Sequence, residues 1–137
     1  MEPDPARVAE TTAWLAKASD DLRAASIDLA ASPPLAEDAV FHCQQAAEKT
    51  LKALLTWHDR PFRKTHNLEE LGEQCLTVEP TLRPEIDLVV PLTEYAWRFR
   101  YPGEPEDLGP DEPGDALRVA GDLHRAVVAR LPREAQP

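Results

Sequence analysis

From Leu15 onward the apolar residues return at steps of three and four, through Ala18, Leu22, Ala25 and Leu29, and the same step recurs in Val40, Cys43, Ala47, Leu51 and Leu54. A period near 3.6 lays each set along one face of a helix and does not fit the two-residue alternation of a half-buried strand. Fourteen prolines cut this pattern into lengths. Most stand where a helix can begin or end, and only Pro91 falls inside a stretch that otherwise reads as helical. Twenty Ala and seventeen Leu, against three Phe and two Tyr, favour helix over sheet.

The breaks set the expected boundaries. The first helix runs from about residue 6 to 31 and ends at Ser32-Pro33-Pro34; Ser32 is expected to cap the second, which reaches about Trp57. Asn67 with Glu70 three places on makes an N-terminal capping pattern for a short third helix through Leu68, Leu71, Cys75 and Val78. Thr81 and Pro84 open a fourth through Ile86, Val89, Val90, Leu92 and Ala96, kinked at Pro91 and stopped by Tyr101-Pro102-Gly103. Residues 102–114, with four Pro, three Gly and five acids, read as an acidic loop. A fifth helix carries Ala116, Ala120, Leu123, Val127 and Leu131, and residues 132–137 read as a frayed tail. The expected fold is all-α: an up-and-down bundle of four main helices plus one shorter helix, in a single domain over 1–137 with its core at about 6–131.

A net charge of −10 argues against a protein that coats nucleic acid or anionic membrane. Two basic islands nevertheless survive: residues 41–66 carry +3, with Lys49, Lys52, Arg60, Arg63 and Lys64, and residues 97–103 carry +2, with Arg98 and Arg100. Trp57 and Phe62 accompany the first; Trp97, Phe99 and Tyr101 alternate with the arginines of the second. Aromatic faces beside guanidinium groups suit a base plus a phosphate, but rings that end helices against the core, with arginines neutralising an acidic surface, produce the same pattern. On the second helix Gln45, Glu48, Lys49 and Lys52 form a polar strip that suits a dimer contact or, more commonly, a solvated flank.

Asp38 and His42 stand one turn apart, as metal ligands can, but two ligands do not make a site, so no metal and no cofactor is expected. His66 reads as local turn structure and His124 as a hydrogen-bonded edge histidine. The GxSxG, GxxxxGK[ST] and GxGxxG signatures are missing, and Cys43 and Cys75 lie on apolar stripes where thiols are inert. The longest apolar run, Ala126 to Ala129, is too short for a membrane span, and the first residues lack a basic leader, so a cytoplasmic protein is expected.

The chain resembles the HEPN family in Asp21-Leu22 with Ala25; in Phe41-His42-Cys43-Gln44-Gln45-Ala46-Ala47-Glu48-Lys49 with Lys52-Ala53-Leu54-Leu55; in Thr65-His66-Asn67-Leu68 with Leu71; and in Arg100-Tyr101-Pro102. The resemblance spans about residues 13–130 and implies a bundle of four to five helices, paired as a homodimer, with a role around nucleotides or RNA. It also implies a minimal nucleotidyltransferase partner in a toxin–antitoxin pair. Many such proteins are metal-independent ribonucleases in which an Arg and a His four to six residues later meet across the dimer. Arg98 and Arg100 stand at the family's Arg, but Phe99 to Gly109 contain no His, and neither Tyr95 nor Tyr101 inherits the tyrosine that some partners modify beside it. The expectation is therefore a dimeric nucleotide- or RNA-associated binding or regulatory subunit, contacting nucleotide or phosphate through Arg98, Arg100, Tyr101 and Lys49. One alternative is a ribonuclease toxin whose catalytic candidate, Arg100, works with His66 or His42 of the second subunit; another is a helical interaction scaffold.

Overall fold

The computed structural model describes residues 2–99, 102 and 108–137, which leaves Arg100 and Tyr101 outside the described residues. Among these the chain forms five α-helices and no strand: α1 (Pro5–Ala30), α2 (Ala36–Trp57), α3 (Leu68–Val78), α4 (Arg83–Val89) and α5 (Glu112–Ala129). The all-α bundle matches the expectation from the apolar period.

α1 starts sharply because the Asp4 carboxylate accepts the Ala6 N–H at 3.0 Å and Pro5 occupies the first turn, where its missing donor is not needed. α1 and α2 lie antiparallel, so Arg7 near the start of α1 reaches Asp59 just past α2 at 3.5 Å. α5 runs back beside both, with His124 3.4 Å from the Leu15 carbonyl. α2 is the central element: Val40, Cys43, Ala47, Leu51, Leu54 and Leu55 are fully buried between α1, α3 and α5. Each buried leucine there contributes about 1.5–3 kcal/mol by the area it removes from water.

Asn67 caps α3 as its spacing predicts, accepting from the Glu69 and Glu70 N–H groups at 2.9 and 3.1 Å. The reciprocal half of the pattern is not made. Thr65 Oγ1 accepts the Asn67 N–H at 3.0 Å, while the Glu70 carboxylate takes Arg63 in a two-pronged pair at 2.7 and 2.8 Å.

Four expectations are corrected. Ser32 does not cap α2, because the chain after α1 is drawn onto the Asp28 carbonyl, which accepts from Ala31 and Leu35, and the helix begins only at Ala36. Glu37 and Asp38 in its first turn supply the favourable negative charge instead. The fourth segment does not kink as one helix: α4 ends at Val89 and Val90–Ala96 continue as tighter 3₁₀ turns, in which Thr93 Oγ1 donates to the Val90 carbonyl at 2.7 Å and accepts from Leu68 N–H at 3.2 Å. The acidic stretch is shorter than read, since Glu112 to Gly114 already belong to α5, with Pro113 in its first turn. The C-terminal tail packs: Ala135 is fully buried, its carbonyl accepts from Thr12 Oγ1 at 3.2 Å, and Gln136 donates to the Val128 and Leu131 carbonyls at 3.0 Å each.

Candidate functional site

The 3₁₀ segment delivers Arg98 and Phe99 to the start of α2. Phe99 adopts a left-handed backbone, φ 69°, unusual for a residue with a side chain, and its ring stacks on Tyr95 at 6.4 Å. The Arg98 guanidinium lies 4.5 Å from the centre of the same ring and donates to Glu94 at 2.7 Å. Arg98 and Phe99 line a hollow of about 290 Å³ with Glu37, Asp38 and Phe41 of α2. Two rings, a guanidinium and two carboxylates thus converge on one surface. Tyr95 itself is buried; burial and the Glu112 carboxylate beside its hydroxyl push its pKa up, so it stays neutral.

Of the sequence-selected residues, Arg98 lines this hollow and Lys49 does not. Arg100 and Tyr101 lie outside the described residues. The Lys49 ammonium donates to Asp21 Oδ2 at 2.6 Å, and Asp21 Oδ1 stands 2.8 Å from His42 Nδ1. The other face of the His42 ring turns to Asp38, with Nε2 3.4 Å from Oδ2. Behind it, burial and then the Asp38 carboxylate raise the pKa of Asp28 from 3.8 to about 6.

Half of the polar strip of α2 turns inward instead of forming a solvated flank. Glu48 and Lys52 are buried, 4 % and 8 % exposed, with Lys52 donating to Glu48 at 2.9 Å. Glu48 also accepts from Gln44 at 3.2 Å and lies 2.7 Å from His66 Nδ1. The Lys52 ammonium stands over the rings of Trp14 and Phe62, 5.5 and 5.7 Å from their centres. The helix period places these residues beside the apolar stripe; it cannot show that the 58–67 link folds over them.

The first basic island is therefore mostly spent within the chain: Lys49 on Asp21, Lys52 on Glu48 and Arg63 on Glu70. Trp57 and Phe62 pack on the core, as the structural reading of that island has it. A larger hollow of about 480 Å³ at Arg60 and Phe62 also holds Asp4, Glu10 and Asp59, so its charge is mixed.

The thiols offer no nucleophile, since burial pushes both Cys43 and Cys75 up to about 12. His124 contacts the Leu15 carbonyl, as its position suggested, and burial lowers its pKa. Among the described residues no helix is long and apolar enough to cross a membrane.

In comparison with known proteins, the model of the HEPN domain matches residues 11–131. No curated protein and no solved structure matches the chain.

Proposed function

The chain belongs to the HEPN domain family, and from that premise we propose that it is a homodimeric cytoplasmic binding or regulatory subunit, working beside a minimal nucleotidyltransferase, that holds a nucleotide or RNA without cutting it. Arg98, with Arg100 and Tyr101 after it, supplies the phosphate contact. The observation that carries this reading is the composition of the Arg98 hollow: Phe41, Phe99, Arg98, Glu37 and Asp38, with no histidine among the described lining residues.

The chemistry matches that division. Cleavage of RNA without a metal needs a base at the ribose 2′-hydroxyl, and neither candidate lines this hollow: His42 sits between Asp21 and Asp38, His66 against Glu48. Binding needs less. An aromatic face stacks on a base, a guanidinium meets phosphate oxygens, and carboxylates accept ribose hydroxyls while repelling a second phosphate. A volume of about 290 Å³ accommodates one nucleoside. Lys49, held by Asp21, lies outside this hollow.

Trp97 is 55 % exposed and adjoins Arg98, so its fluorescence reports on the site. Titration with AMP is expected to quench it saturably, and Arg98→Ala to weaken binding about tenfold, the loss of one charge-assisted contact. Co-purification with a minimal nucleotidyltransferase checks the partner. A chain that binds no nucleotide yet retains that partner after loss of both arginines is a scaffold, and the proposal fails.

A further inference from the structure

Asp28, Asp38 and His42 meet where the last turn of α1 lies against the start of α2: one oxygen from each carboxylate and one ring nitrogen all fall within 4.8 Å of one another. The sequence offers only the Asp38–His42 pair, because the third group comes from the other helix and leaves no spacing to read. Asp28 is 8 % exposed, and its Oδ2 has no hydrogen-bond partner among the described residues. A buried carboxylate oxygen facing a second carboxylate is costly unless a cation or a proton lies between them.

His42 indicates which. Asp21 stands 2.8 Å behind its Nδ1, and Lys49 holds the other Asp21 oxygen at 2.6 Å. An Nδ1–H donated to Asp21 leaves the Nε2 lone pair facing Asp38, the tautomer in which imidazole ligates metals, with the carboxylate support that ligating histidines usually have. The separation of Nε2 from Asp38 Oδ2 is 3.4 Å. Ligands each about 2.1 Å from one tetrahedral ion stand about 3.4 Å apart. The charges agree as well, since Lys49 balances Asp21 and the two remaining carboxylates, Asp28 and Asp38, match one divalent ion.

We propose that Asp28, Asp38 and His42 bind one divalent transition-metal cation of the Zn²⁺ class, with Asp21 orienting the imidazole. Two carboxylates and one imidazole form a donor set of intermediate hardness, suited to Zn²⁺, Co²⁺ or Mn²⁺ rather than to a thiolate-seeking ion. The Asp38 side chain is 56 % exposed and gives the ion its way in from solvent. The site shares Asp38 with the Arg98 hollow.

The test uses the full chain, stripped with chelator, dialysed, and titrated with Co²⁺ and Zn²⁺ at about pH 8, since protons compete with metal ions for their ligands. One equivalent per chain is expected, with visible Co²⁺ absorption and a Tm raised by several degrees in excess Zn²⁺. Asp28→Asn and, as a variant at an exposed position that leaves the fold intact, Asp38→Asn should each weaken binding by about tenfold or more. A shared proton is the competing answer. It prevails if wild type takes up no ion at about 1 mM, or if Asp38→Asn binds Co²⁺ with the same affinity and spectrum as wild type.

Discussion

The ion pair between Glu48 and Lys52 lies where a helical strip would ordinarily be solvated, and its burial can be measured. Glu48 has three partners, Lys52, His66 and Gln44, at 2.9, 2.7 and 3.2 Å. Lys52→Met takes the ammonium away from that carboxylate, 4 % exposed, and from the Trp14 and Phe62 faces. Losing one partner of a buried pair costs about 3 kcal/mol or more. For 137 residues the unfolding entropy near the midpoint is about 0.29 kcal/mol/K, so Tm should fall by about 10 °C. Glu48→Leu should cost about as much, by stranding the ammonium. The double variant removes both charges, while Gln44 keeps its bond to the His66 carbonyl at 3.0 Å, so it should lie within about 1 kcal/mol of wild type. Urea unfolding of the four proteins yields the coupling energy, expected at about 5 kcal/mol from two single losses of about 3 and a double loss of about 1. Single losses that simply add, with coupling below about 0.5 kcal/mol, are the behaviour of a solvated pair and would refute the reasoning.

Gly72→Ala tests the α3–α4 packing with opposing signs. Alanine gains about 1 kcal/mol in helix propensity, but its Cβ would stand 2.6 Å from Ile86 Cγ2. A net loss of about 1–2 kcal/mol is expected, and Ile86→Leu, which removes that branch, should recover much of it; a stabilised Gly72→Ala protein would contradict the packing. Burial lowers the pKa of His124 below its ordinary 6.5, so the neutral ring is favoured by folding. That contribution is complete above about pH 6.5 and declines as pH falls below it, because the unfolded chain then binds the proton more readily. His124→Gln should flatten the fall of Tm between about pH 7 and pH 5, and identical profiles would refute the assignment.

The apolar stripes made the helix order legible, and Asn67 marked the start of α3 through local chemistry that needs no tertiary context. Ser32 failed because the link is held by the Asp28 carbonyl, four residues before it, rather than by its own serine. Glu48 and Lys52 carry the signature of a surface strip, and only the 58–67 link, with His66 and Phe62 against them, turns that strip inward. Ala135 reads as tail because one small residue has no period to reveal that Thr12 waits for its carbonyl. In the candidate site, Arg98 and the rings were readable as an alternating basic and aromatic run. Phe41, Glu37 and Asp38 were not linked to them, since about sixty residues of chain separate those three from Arg98 and only the bundle joins them. Asp28 was hidden in the same way, as a polar residue on α1 whose two companions in the cluster, Asp38 and His42, belong to α2.

The central claim is that the Arg98 surface binds without cutting. The most direct measurement incubates the purified chain with a fluorescein-labelled single-stranded RNA in chelator, following anisotropy and chain length together. The account predicts saturable binding, weakened about tenfold by Arg98→Ala, with the RNA intact throughout. Cleavage in chelator that disappears in Arg100→Ala would contradict it and make the protein a metal-independent ribonuclease.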